Sequence, residues 1–272
     1  MLPELTTLSP RQTFEDNLRP AQLLLNVYRL LENDRLHTEG DMVEALRSLA
    51  QASSSEELIV IYNELFLGLV RERAHIPHST LRQATLNHLL RQAVVASCTA
   101  LETYLPTLLR AYLPTLIRVR KRDFIPRNDT TVKDYFFDFT FSLDEVLRLL
   151  DDENAPEYIS NKILGLMKFK YLSSKKGVHV TGVLLGLNSP WQDIGSHLSR
   201  DRKELMKAME DTVNRRNDIV HRADRPQTDP GGEMQDIGYA WTQHAVDAIQ
   251  HICLALDELV AARIREIESL SD

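Results

Sequence analysis

Between Leu81 and Leu105 apolar residues return every three or four positions, at Leu86, Leu89, Leu90, Val94, Cys98 and Leu101. Only an α-helix turns that spacing onto one face. A helix so long and so apolar needs other helices to cover it, because in water its propensity alone does not hold it. Pro106 is expected to kink or end it. With only 10 glycines and 11 prolines in 272 residues, a turn-rich β fold lacks its punctuation. The expected fold is all-α, a helical bundle with additional N-terminal helices.

The remaining pattern supplies partners for that helix. Pro20 suits a first helical position, followed by Leu24, Leu25, Tyr28 and Leu31, which predicts a helix over about 20–36. Ser54 and Glu57 form a capping-box pattern before Leu58, Ile61, Tyr62, Leu65, Phe66 and Leu69, a helix ending near Arg73. A polar and aromatic connection over roughly 118–141 includes the alternation Tyr135–Phe141, which fits a strand or, better, a packed loop. Ser142 and Glu145 box the start of a short helix through Leu150. Helical spacing resumes at Tyr158, Ile159, Ile163, Leu166 and Met167 and stops at a turn over Ser173–Gly177, before the short apolar piece Val178–Leu187. Ser189-Pro190 opens another helix. Two longer ones follow, over about 200–221 and 235–268, separated by a loop at Arg222–Gly232. The division expected is an N-terminal helical segment, 1–75, and a bundle, 76–272.

A formal charge of -7 provides no overall positive field for nucleic acid, so a phosphate site has to be local. Basic runs occur at Arg118–Arg122, at Lys168–Lys176 and at Arg215–Arg225; such runs are usually solvated faces. Cys98 and Cys253 fall in apolar helical patterns, where a free thiol acts as a small buried hydrophobe. No stretch approaches the length of a membrane span, and a reducing cytoplasm is the expected location.

No glycine-rich phosphate loop, His-Glu-x-x-His, Cys-x-x-Cys or Gly-x-Ser-x-Gly is present. An arginine four to six residues before a histidine occurs several times: Arg73 precedes His78 and Arg82 precedes His88, with Arg71 standing just before the first pair. Arg216 and His221 differ in context, with Asn217 next to the arginine, a helix terminus and a loop beyond. On a wheel of about 100° per residue, Leu205, Met209, Val213 and Val220 make an apolar stripe. Arg216 falls in its middle, while Arg215 lies off it and is expected to face water. A guanidinium among aliphatic side chains is costly unless it is paired or serves a site. Asn217 and His221 share a face about 100° to 140° round from Arg216, so one helix does not easily focus all three. Two copies about a twofold axis could, which motivates a homodimer with a composite site.

His221 stands in the last helical turn, where the backbone carbonyls favour imidazolium and where proton exchange near neutral pH suits acid or base work on a ribose hydroxyl. Arg216 suits the charge of a phosphodiester becoming five-coordinate, and Asn217 could orient phosphate or ring. Such a cleavage requires neither metal nor cofactor. Arg215 and Asp218 are candidate supports, and Arg222 and Arg225 candidate contacts to RNA. Equally, Arg216 could be a structural cation paired with Glu102, an isolated carboxylate in the long apolar helix, with His221 an ordinary helix cap.

The segment Arg216-Asn217-Asp218-Ile219-Val220-His221 resembles the signature of the HEPN superfamily: an arginine, a polar residue after it, and a histidine four to six residues from the arginine. From about residue 80 to 265 the chain looks like the branch named RiboL-PSP-HEPN. Ala100-Leu101-Glu102-Thr103-Tyr104-Leu105 is similar to part of its first helix. The resemblance implies a dimeric, metal-independent endoribonuclease that uses the 2'-hydroxyl as nucleophile and leaves a cyclic phosphate. It also implies a toxin-antitoxin or anti-phage setting with a possible antitoxin or defence partner. Some members have lost activity and act as binding modules for RNA, nucleotide or protein. One departure is Ala223, where toxins neutralised by a partner nucleotidyltransferase carry a tyrosine two residues after the histidine; control by adenylylation at that position is not expected. Residues 1–75 lie outside the resemblance and are expected mainly to complete the core.

Overall fold

The structure, a computed structural model, describes residues 9–33, 83–121, 124, 129–136, 139–150, 152, 154–167, 172–229 and 231–269. Its elements in chain order are α1 (Pro10–Asn33), α2 (Gln83–Arg120), α3 (Thr130–Tyr135), α4 (Leu143–Leu150), α5 (Ala155–Met167), α6 (Lys175–Leu184), α7 (Pro190–His197), α8 (Arg202–Arg222) and α9 (Tyr239–Ser269). Among the described residues there is no strand, and the chain is all-α as expected. The helix expected to follow Ser54, and the decoy arginines 71, 73 and 82, lie outside the described residues.

The 38-residue α2 is the axis of the bundle, with α1, α5, α8 and α9 packed on it. Pro106 neither ends it nor does Pro114. Each proline removes one ladder bond at a cost of about 3 kcal/mol. Leu105, Leu108, Leu109, Leu113 and Leu116 are all fully buried around them. Burial stabilises each by about 1.5–3 kcal/mol, so the core outweighs the local cost and the helix runs through. Pro20 shows the same override, since α1 begins ten residues before it, at Pro10. The true start is Ser9, whose hydroxyl accepts from the Gln12 N–H at 3.1 Å with proline in the first position. Pro20 lies on the exposed side of α1, where water can serve the Asp16 carbonyl that it leaves without a donor.

Phe14, Leu18, Ala21, Leu25 and Tyr28 of α1 join one continuous core with α2 and α9. Phe14 lies 5.1 Å, ring to ring, from Tyr104, whose hydroxyl donates to the Cys253 carbonyl at 3.0 Å. Cys98 and Cys253 are free and buried, as their apolar settings imply. Among the described residues no helix is long and apolar enough to cross a membrane.

Local signals fixed several shorter elements. The Ser142–Glu145 box forms reciprocally, with the Glu145 carboxylate accepting from the Ser142 N–H at 2.7 Å and the Ser142 hydroxyl from the Glu145 N–H at 3.3 Å. The stretch 173–177, expected as a turn, instead starts α6: Ser174 is its cap and accepts from the Gly177 N–H at 3.0 Å. Glycine there serves close approach, because a Cβ would meet the Leu172 carbonyl oxygen at 1.9 Å. Within the connection expected over 118–141, Asp129 caps the short helix α3 by accepting from the Val132 N–H at 2.9 Å.

Candidate active site

Helix α8 starts at Asp201, whose carboxylate accepts from the N–H groups of Lys203 and Glu204 at 2.8 and 3.1 Å. Leu205, Met209 and Thr212 bury its inner face. Farther along that face comes Arg216, where the wheel placed it, with its side chain only 19% exposed. Its Nη2 donates to Glu102 Oε1 of α2 at 2.7 Å and its Nη1 to Asn217 Oδ1 at 3.0 Å. Glu102 Oε1 also accepts from the Ser173 hydroxyl at 3.0 Å, so Glu102 ties α2, the start of α6 and α8 together. The Nε of Arg216 is buried without a hydrogen bond, which leaves one donor free. Burial pushes the nearby Cys98 thiol up to about 12, against the opposing pull of Arg216, so this sulfur is no nucleophile at neutral pH.

His221 lies on the exposed end of α8 and, among the described residues, makes no hydrogen bond or ion pair. One helical turn back on the same face is half-buried Asn217. Within one protomer the structure therefore joins Arg216 to Asn217 and leaves His221 apart from them.

Two expectations about this helix fail. Arg215 does not face water: its side chain is 15% exposed, its Nη2 donates to Asp224 Oδ2 at 3.0 Å and to the Asp236 carbonyl at 2.8 Å, and its guanidinium lies 5.6 Å from the Trp241 ring centre. Val220, assigned to the buried stripe, is 49% exposed. Both have one cause. The chain after Ala223 returns along the Arg215 side of α8 through Asp224, Gln235 and Asp236, and among the described residues no element covers the last turn on the Val220 side.

Asp218 and Arg222 pair with each other, and Asp218 also accepts from Gln235 Nε2 at 3.2 Å. Arg225 donates through Nε to the Gly232 carbonyl at 2.9 Å. Asp218 thus joins the loop to α8 through Gln235, the Arg225 bond lies within the loop, and Arg222 and Arg225 remain within reach of solvent.

The residue that sequence reasoning missed is Asp224. It is fully buried, accepts from Arg91 Nε of α2 at 2.6 Å through Oδ2, and lies 2.6 Å from Arg215 Nε through Oδ1. That last contact is an ion contact off the N–H direction, since neither atom completes a directed hydrogen bond there. Arg91 Nη2 donates on to the Gln235 carbonyl at 2.7 Å. The backbone at Ala223 and Asp224 is left-handed, with φ of 50° and 62°, which turns both N–H groups back onto the Asp218 carbonyl. The signal was available in Arg91, a guanidinium inside the apolar run Leu89-Leu90-Arg91: a buried cation demands a buried anion, as it did for Arg216.

Among the described residues no group of three histidine, cysteine, aspartate or glutamate side chains is arranged to hold a metal ion. No protein-family model, curated protein or solved structure matches the chain.

Proposed function

We propose that the chain is a metal-independent endoribonuclease of the HEPN type, acting as a toxin or anti-phage effector and assembled as a homodimer that shares one cleft. The observation carrying this is the contrast along one helix end: Arg216 is fixed by Glu102 and Asn217, while His221, a turn beyond Asn217, is exposed and, among the described residues, unengaged. A charged group that must meet a phosphate gains from being held in place before substrate arrives, and a proton-transfer group gains from access to it.

In the reaction, His221 of one copy takes the proton of a ribose 2'-hydroxyl. The 2'-oxygen bonds to phosphorus, the bond to the 5'-oxygen breaks, and that oxygen leaves with a proton from the second copy's histidine. The products are a 2',3'-cyclic phosphate and a 5'-hydroxyl end. Arg216 meets the negative charge of the five-coordinate phosphorus, and Asn217 orients a phosphate oxygen while holding the guanidinium. Single-stranded RNA is the fitting substrate, because in-line attack needs a flexible backbone.

A second reading, a non-catalytic module binding RNA, nucleotide or a partner protein, is favoured by one observation: the Arg216–Glu102 pair satisfies the arginine without substrate. The deciding experiment incubates wild-type protein and His221→Ala with total RNA in excess EDTA and maps the fragment ends. Cleavage by wild type with cyclic phosphate ends, reduced about a hundredfold or more in His221→Ala, is the expected result. Binding without cleavage by either protein would turn the assignment to the binding module.

A further inference from the structure

A cavity of about 380 Å³ lies between α6, α7 and the first turns of α8, lined by His179, Trp191, Gln192, Arg202, Lys203 and Met206, with Ser189 at its edge. Its size is in the range of small-ligand sites. No acidic side chain lines it. Among the described residues neither Arg202 nor Lys203 forms an ion pair, and both are exposed at its rim. The apolar part is held in place. Trp191 is 6% exposed and its indole N–H donates to the Lys175 carbonyl at 3.0 Å. His179 is oriented by Asp129, with Nε2 and Oδ2 2.8 Å apart. Burial raises the Asp129 carboxyl, but the Val132 N–H and His179 outweigh it and hold it below its ordinary value.

The position of the cavity is as informative as its lining. On the wheel of α8, Lys203, Met206, Glu210, Asn217 and His221 all lie about 80° to 140° round from Arg216, on one side of the helix. Helix α6 runs beside that side in the opposite sense. His179 shares the cavity with Lys203 and Met206, Lys175 pairs with Glu210 at 2.8 Å, and Ser173 meets the Glu102 that holds Arg216. Lys175 and Lys176, the end of the second basic run, thus lie between the cavity and the Asn217–His221 end. From Met206 to Asn217 the rise is about 16 Å, a reach of a few nucleotides along a strand.

We propose that this cavity is a nucleotide subsite, taking a planar base against Trp191 and Met206 while Arg202 and Lys203 meet its phosphate. The source of that nucleotide rests on the ribonuclease reading: on it, the occupant is a nucleotide of the RNA strand a few positions from the phosphate being cut. A free mononucleotide has the same chemistry.

The chain has two tryptophans, so Trp241→Phe leaves Trp191 as the sole reporter inside the cavity. Carried with His221→Ala to keep RNA intact, this protein is titrated with a labelled single-stranded oligoribonucleotide and, separately, with AMP. Trp191 emission reports the cavity, and anisotropy of the label reports RNA binding. A saturable change in Trp191 emission is expected with RNA, weakened at least tenfold by adding Arg202→Ala and Lys203→Ala. The log-log salt dependence should flatten by about 0.7, for one phosphate no longer neutralised on a single strand. A response to RNA alone marks a strand subsite, and a response to AMP as well marks a site open to free nucleotide. RNA bound by anisotropy with Trp191 unchanged overturns the subsite and leaves the ribonuclease reading standing. A response to AMP with RNA neither bound nor cut by the parent protein keeps the cavity and removes the ribonuclease. No response to either ligand overturns the proposal.

Discussion

Replacing Asp224 by asparagine keeps the side-chain shape and deletes one charge at a place where two cations depend on it. The Arg91 and Arg215 side chains are 5% and 15% exposed, and the carboxylate between them is fully buried. In Asp224→Asn the amide nitrogen faces a guanidinium, donor against donor, and two buried cations keep no anion. Removing one partner of a buried pair costs about 3–5 kcal/mol. The carbonyls of Gln235 and Asp236 still accept from these arginines, which sets the expected loss near the lower end, about 3 kcal/mol. For a chain of this size each kcal/mol moves the melting temperature by about 2–4 °C, so the midpoint should fall by roughly 6–12 °C. Thermal and urea unfolding followed by far-ultraviolet circular dichroism measure this, with exposed Asp229→Asn as the control. Trp241 emission should also change, because the Arg215 guanidinium lies over its ring. A loss below about 1 kcal/mol, the level of an exposed ion pair, would show that Asp224 is no keystone and that the loop is held by its backbone contacts alone.

Ala223→Gly relieves a left-handed backbone at φ 50° that costs a residue with a Cβ about 1–2 kcal/mol, and gives back part of that in unfolded-chain entropy. A net gain of about 0.5–1 kcal/mol in urea unfolding is expected, and a destabilised variant would refute it. Glu145 is held at about 2 chiefly by Lys162, then by the Ser142 N–H and the Tyr158 hydroxyl. Its folded value is depressed, so its contribution is present above the ordinary 4.5 and disappears as pH falls from there through about 2. Protection factors of the α4 amides should fall over that acid range in wild type, whereas Glu145→Gln should be weakly protected throughout and show no such step.

Where burial and periodicity coincide, the fold was legible. The spacing Leu86, Leu90, Val94, Cys98, Leu101 located the axis of the bundle, and the Ser142–Glu145 box located α4 to the residue. Pro20 misled and Pro106 did not end its helix because a local rule worth about 3 kcal/mol was set against long-range burial that a single helix pattern does not reveal. At the site, the wheel found Arg216 on the buried face and suggested Glu102 as its partner, a carboxylate 114 positions away in the chain. It failed at Arg215 and Val220 because a wheel knows the axis of one helix and not what lies beside it. The chain after residue 222 doubles back along the Arg215 side, which leaves Arg215 as dry as Arg216. Asp224 itself reads as solvated, an aspartate in a loop; the sequence signal for it lay instead in Arg91, whose apolar setting calls for a buried anion without saying which.

The clasp around Asp224 also bears on when the site comes into being during synthesis. Arg91 waits for a partner 133 positions later in the chain, and Gln235 and Asp236 must follow before its second contact and those of Arg215 are complete. Helices α1 and α2 can pair early on the ribosome, since domains gather structure from the N-terminal side as they emerge. Arg216 can reach Glu102 as soon as α8 emerges, but the loop that braces the Arg215 side of α8 closes only once residue 236 is out. A nascent or truncated chain therefore carries Arg216 and His221 before that brace has formed. On the ribonuclease reading, that order leaves a chain stopped before residue 236 with its Asp224 clasp incomplete.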